Sequence, residues 1–116
     1  MGQLTTHVLD TTSGTPAKGV KWILRHVTNE SLEVARGQTN ADGRSDTPLL
    51  SGPTLIAGTY ELEFQVASYF RDQGITLPEP AFLDDVVIRF GIADVSDHYH
   101  VPLLVSPYGY STYRGS

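Results

Sequence analysis

Apolar and polar positions alternate along most of this chain. Tyr60, Leu62, Phe64 and Val66 are interleaved with Glu61, Glu63 and Gln65. Successive side chains of a strand point to opposite faces, so this stretch predicts a strand with one face toward a core. Val20, Trp22 and Leu24 form the same kind of face, and Val86, Ile88, Phe90 and Ile92 form another. The runs are separated by turn-forming clusters at Ser13-Gly14-Thr15-Pro16, Asn40-Ala41-Asp42-Gly43, Ser51-Gly52-Pro53 and Pro78-Glu79-Pro80. Only Ser68 to Gln73 reads as a helix, closed by Gly74 as its C-terminal cap. About seven or eight short strands and one small helix predict an all-β sandwich.

Two strands depart from the ordinary pattern. From His98 onward, Tyr99, Val101, Leu103 and Val105 make a core face, while the opposite face carries His98, His100, Pro102 and Leu104. Near the start, Thr5, His7 and Leu9 form a similar half-polar face. A solvent-facing strand normally carries Lys, Glu or Thr instead. These two faces are expected to be covered by another copy of the chain and to line one shared groove.

The 116 residues amount to one domain, residues 1–116, with room for a single core. Apolar runs such as Val101 to Val105 fall far short of the ~20 residues of a membrane span. No basic segment followed by an apolar one opens the chain, so no signal peptide is expected, and the cytoplasm is the default compartment. With no cysteine there is neither a disulfide framework nor a thiolate nucleophile. The net charge is -5 and the eight Lys and Arg residues are scattered, which leaves no basic stripe for a nucleic-acid backbone. A small molecule or a protein is the expected partner.

The groove's candidate chemistry rests on His7, His98, His100, Arg44, Arg114, Tyr108, Tyr110, Tyr113 and the Ser116 carboxylate. Imidazole both takes and gives protons near neutrality. A neighbouring guanidinium favours its neutral form, which a general base requires. Arg44 follows Asp42-Gly43 at a turn, and its planar fork suits a carbonyl or an anionic heterocycle. Together these residues suit the addition of water to an activated carbonyl. A single strand histidine is more often structural, and His26, in an alternating strand without polar company, is read that way. His98 and His100 with His7 also make a weak three-histidine zinc pattern. There is no Gly-x-Ser-x-Gly elbow for a serine nucleophile, and no phosphate loop or dinucleotide fingerprint.

Three motifs in register carry a resemblance. Thr6-His7-Val8-Leu9-Asp10, Asp42-Gly43-Arg44, and His98-Tyr99-His100-Val101-Pro102-Leu103-Leu104 running to Tyr113-Arg114-Gly115-Ser116 together resemble the 5-hydroxyisourate hydrolases, transthyretin-like enzymes of urate breakdown. The resemblance implies a transthyretin-like sandwich of two four-stranded sheets with one short helix. It also implies a homotetramer whose channel holds the active sites, and hydrolysis of 5-hydroxyisourate without metal or organic cofactor. It assigns catalysis to His7, Arg44 and His100, and substrate contacts to His7, Arg44, Tyr113 and Ser116. His98, Arg114 and Gly115 support the site, with His98 at its rim, and which histidine is the base stays open. Transthyretin itself, a carrier of thyroid hormones, is the alternative within the fold; a carrier channel for an apolar ligand would be lined by aliphatic and hydroxyl groups.

Overall fold

The computed structural model describes residues 2–115. Two sheets face each other across one apolar core. The first contains β1 (Gln3–Asp10), β2 (Thr15–Pro16), β5 (Leu50–Ser51), β8 (His98–Ser106) and β9 (Gly109–Thr112). The second contains β3 (Lys21–Val27), β4 (Ser31–Gln38), β6 (Gly58–Phe64) and β7 (Val86–Ile92), in the order β4-β3-β6-β7. The path of the first sheet is β2-β1-β8-β9, with β5 also paired to β1. All pairings are antiparallel except β1 with β8, which run parallel from Gln3↔His98 to Asp10↔Val105.

The alternation maps onto the core as expected. Leu4 and Val8 of β1, Trp22 and Leu24 of β3, Tyr60, Leu62 and Phe64 of β6, and Tyr99, Val101, Leu103 and Val105 of β8 are all buried. Burial of a large apolar side chain stabilises by roughly 1.5–3 kcal/mol, so the two inner faces supply most of the cohesion. The transthyretin-like sandwich expected from the sequence is therefore the fold, with the two-residue strand β5 as an extra piece on the first sheet.

The helix α1 spans Val66–Asp72 and so begins two residues before the predicted start. Pairing of β6 with β3 ends at Phe64↔Trp22, and Val66 turns inward on the helix while remaining in the core. Gly74, with φ of 85°, closes the helix as predicted, and the following Ile75 amide donates back to the Phe70 carbonyl at 3.0 Å. Tyr69 anchors the helix to the other sheet, because its hydroxyl donates to the buried Asp10 carboxylate at 2.8 Å. The other oxygen of Asp10 accepts from the Thr12 and Ser13 amides. Burial and the adjacent carboxylate push the Tyr69 hydroxyl pKa well above the usual tyrosine range. His26, read as structural, stacks on Tyr60 with ring centres 4.7 Å apart.

Candidate active site

One edge of β1 is paired to β8, and the other is covered only in pieces. Leu9 and Asp10 pair with β2, His7 forms a single antiparallel bridge with Arg44, and Gln3 and Leu4 pair with β5. Between Arg44 and Leu50 the chain leaves the edge and rejoins it where the Leu49 amide donates to the Leu4 carbonyl at 2.8 Å. That departure opens a cleft of 570 Å³ over the middle of β1, with Thr5, Arg44, Asp46, Pro48 and His100 among its walls.

The bridge is held by a tight turn. The Asn40 side-chain oxygen accepts from the amides of Asp42 and Arg44 at 2.9 and 3.1 Å. Gly43 takes φ of 76°, and a Cβ there would lie 2.4 Å from the Val8 carbonyl oxygen, so both the left-handed backbone and the close approach require glycine. Its own carbonyl accepts from the Val8 amide at 2.8 Å. The motif Asn40-Ala41-Asp42-Gly43-Arg44 thus places Arg44 beside His7 by local turn chemistry.

The two central histidines are held differently. His7 Nε2 lies 2.9 Å from the Asp42 carbonyl oxygen. A carbonyl can only accept, so Nε2 carries the proton, and in neutral His7 the lone pair is on Nδ1. His100 sits opposite Thr5 in the parallel β1–β8 register, and its Nδ1 is 2.8 Å from the Thr5 hydroxyl oxygen. Partial burial lowers the His100 pKa from the usual histidine value, and the charges of Arg44 and His7 lower it further. His100 is thereby kept neutral, in the state able to accept a proton, while Arg44 supplies a fixed positive charge beside it.

The C-terminal segment closes the neighbouring wall. The Gly115 amide donates to the His100 carbonyl at 2.8 Å. Arg114 lies over the Tyr99 ring, 4.4 Å from its centre, and donates to the His98 carbonyl at 3.2 Å. Tyr113 is exposed and lines an adjoining hollow with Asp97, His98, Arg114 and Gly115. His98 is itself exposed at the first position of β8. Of the sequence-predicted residues, the cleft gathers Arg44 and His100, with His7 bridged to Arg44 at its edge. Tyr113, Arg114 and Gly115 stand on the other side of His100, with His98 at that margin, and Ser116 lies outside the described residues. Among the described residues no group of three or more His, Asp or Glu side chains is arranged to hold a metal ion.

Thr5 and Asn40 belong to the site without being among the residues that the sequence motifs single out for its chemistry. Thr5 shares a face with His7 by simple alternation, and Asn40 opens an Asn-x-Asp-Gly turn, so both signals were present.

A two-sheet sandwich with a polar cleft, lined by Arg44, Asp46 and His100, at a broken sheet edge defines a transthyretin-like protein. The model of the HIUase/Transthyretin family matches residues 4–115, and the chain belongs to that family. It is 57% identical over 117 residues to the 5-hydroxyisourate hydrolase of Pseudomonas aeruginosa, covering 100% of this chain and 93% of that protein. The structure of an (S)-allantoin synthase superposes with a TM-score of 0.94 at 44% identity; the match covers 99% of this chain, which spans 44% of that longer chain. Sea bream transthyretin, solved in complex with thyroxine, superposes with a TM-score of 0.88 at 29% identity, over 97% of this chain and 94% of the other. No helix among the described residues is long and apolar enough to cross a membrane.

Proposed function

We propose that this protein is an enzyme of urate catabolism that hydrolyses 5-hydroxyisourate to 2-oxo-4-hydroxy-4-carboxy-5-ureidoimidazoline. The observation that carries the reading is the gathering of Arg44 and His100 around one cleft beside β1, with His7 bridged to Arg44 at its edge, in a chain 57% identical to a named 5-hydroxyisourate hydrolase. In the proposed reaction, neutral His100 takes a proton from water as the water oxygen bonds to the ring carbonyl next to the scissile C–N bond. Arg44 holds the negative charge that develops on the carbonyl oxygen, a contribution of roughly 3–4 kcal/mol for a well-placed donor. The C–N bond then breaks, and the leaving nitrogen takes the proton back from His100. His7, its Nε2 proton committed to Asp42, helps orient the water, while Tyr113 and Ser116 contact the substrate ring.

The half-polar face of β1 and β8, with Thr5, His7, His100 and Leu104 partly exposed, supports assembly through that face into a homotetramer. A chain without cysteine needs no oxidising compartment, and the cytoplasm is its proposed location.

The test is the ultraviolet decay of freshly generated 5-hydroxyisourate with and without the protein, repeated in EDTA and with His100→Asn. Acceleration that survives EDTA and falls by about 10²–10⁴ in the variant supports the assignment. Unchanged turnover in the variant removes His100 from the chemistry. Loss in EDTA favours a zinc hydrolase, and no acceleration at all leaves a transthyretin-like carrier.

A further inference from the structure

Among the described residues, Thr5 is the one side chain in hydrogen-bond contact with the His100 ring, at 2.8 Å from Nδ1. The contact is built in by register: Thr5 and His100 are direct partners in the parallel β1–β8 ladder, on the face that opens to the cleft. Two arrangements satisfy that distance. Either the hydroxyl donates to a bare Nδ1, which puts the ring proton on Nε2, or Nδ1–H donates to the hydroxyl oxygen and the lone pair sits on Nε2. Only the second survives a complete cycle of proton uptake and release. Imidazolium carries protons on both nitrogens, so Nδ1–H must donate in the charged state, and the same bond then serves the neutral state without any rotation.

We infer that Thr5 is a positioning residue that fixes His100 as its Nδ1–H tautomer, accepting that proton on its hydroxyl oxygen and aiming the Nε2 lone pair at the cleft. This rests on the hydrolase reading for its consequence, though not for its geometry. The choice of a hydroxyl has a physical reason. A carboxylate in that place would orient the ring equally well but would stabilise imidazolium and hold the proton. Threonine orients without adding charge. Among the described residues, the charged and titratable groups around His100 are otherwise His7 on β1 and Arg44 and Asp46 on the loop beside it, with Arg114 on the terminal segment turned onto Tyr99. The positive charges of that set already disfavour imidazolium, in line with the lowered pKa of His100. With its acceptor lone pair used on His100, the hydroxyl of Thr5 keeps its own proton for a group in the cleft.

The test compares Thr5→Val, which keeps the shape and removes the hydroxyl, with Thr5→Ser, which keeps the hydroxyl. Ring ¹⁵N spectra of the intact protein assign the neutral tautomer of His100 without substrate, so this readout stands whether or not the chain hydrolyses 5-hydroxyisourate. The expected result is a protonated Nδ1 in the parent and in Thr5→Ser, and a tautomer mixture in Thr5→Val. Steady-state rates on 5-hydroxyisourate are expected to fall about tenfold in kcat for Thr5→Val, with KM little changed, and to stay near the parent for Thr5→Ser. A protonated Nε2 in the parent, or an Nδ1–H tautomer that persists unchanged in Thr5→Val, overturns the inference. Loss of kcat in Thr5→Ser with Thr5→Val near the parent also overturns it, since that pattern reports packing of the threonine methyl and no need for the hydroxyl. If the parent shows no hydrolysis but the spectra behave as expected, the functional reading fails and the tautomer assignment stands.

Discussion

Gly115 and His100 are joined as an antiparallel bridge in which a methyl group on the glycine would lie 2.7 Å from the imidazole Cδ2. No real Cβ sits that close to a ring carbon, so the terminal segment and the His100 ring fit only because position 115 has no side chain. Gly115→Ala is expected to push the ring off Thr5 or the segment off His100. The expected outcome is a fall of about tenfold or more in kcat with little change in thermal midpoint, because the bridge is an isolated one outside the apolar core. Wild-type kcat in that variant would show that the ring has room to yield.

The depressed His100 pKa sets the pH dependence. With His100 as the proposed base, the reaction needs the neutral ring, so activity should persist below the usual histidine value of ~6.5 and fall only at more acidic pH. Arg44→Gln removes the second-largest cause of the depression after burial. Its residual kcat/KM should be lower throughout, with the acid limb moved to higher pH. The same sign applies to stability: the unfolded chain binds this proton first, so the contribution of His100 to stability shrinks as pH falls below the ordinary histidine range. A kcat/KM profile with an identical acid limb in parent and variant counts against the electrostatic account.

Gly43→Ala tests the turn that delivers Arg44. The variant combines a backbone angle of +76° with a Cβ 2.4 Å from the Val8 oxygen. The left-handed angle alone costs a non-glycine residue roughly 1–2 kcal/mol. Urea unfolding should show a lowered midpoint, and kcat should drop by tenfold or more as Arg44 shifts. Loss of stability without loss of activity would mean that Arg44 is placed by something other than this turn.

Tyr69→Phe separates stability from catalysis. It removes the bond from α1 to the buried Asp10 carboxylate, an interaction with a charged partner worth about 2 kcal/mol. The urea midpoint should fall at unchanged m-value, while kcat stays near that of the parent because Asp10 is at the far end of β1 from the cleft. A matching drop in kcat would reveal that the end of β1 is coupled to its middle.

How far the sequence carried depended on the range of the interactions involved. Alternation in Tyr60 to Phe64 and Tyr99 to Val105 is a local signal, and it located the buried faces correctly. The Asn-x-Asp-Gly-Arg turn is equally local and predicted where Arg44 projects. The helix start moved because strand pairing at Phe64↔Trp22, a contact between residues far apart in sequence, decides where β6 stops. Thr5 escaped notice for a similar reason. Its meaning comes from the parallel register with His100, and no single stretch of chain contains both partners. His98, which shares a strand face with His100 by alternation, sits at the exposed strand end, so shared parity did not bring shared surroundings.

The piecemeal cover along the outer edge of β1 has a further consequence. A long bare strand edge invites other chains to add to the sheet, and folded proteins avoid this by shortening, bending or capping such edges. Here β2, the Arg44 bridge and β5 each take up part of the edge, so no run of free backbone donors and acceptors is long enough to template another strand. The interruption that guards against aggregation is the same one that leaves a gap over Thr5. Filling the gap to make a smoother, longer edge strand would therefore close the cleft and extend the surface on which chains can stack, so solubility and activity constrain the same few residues between Arg44 and Leu50.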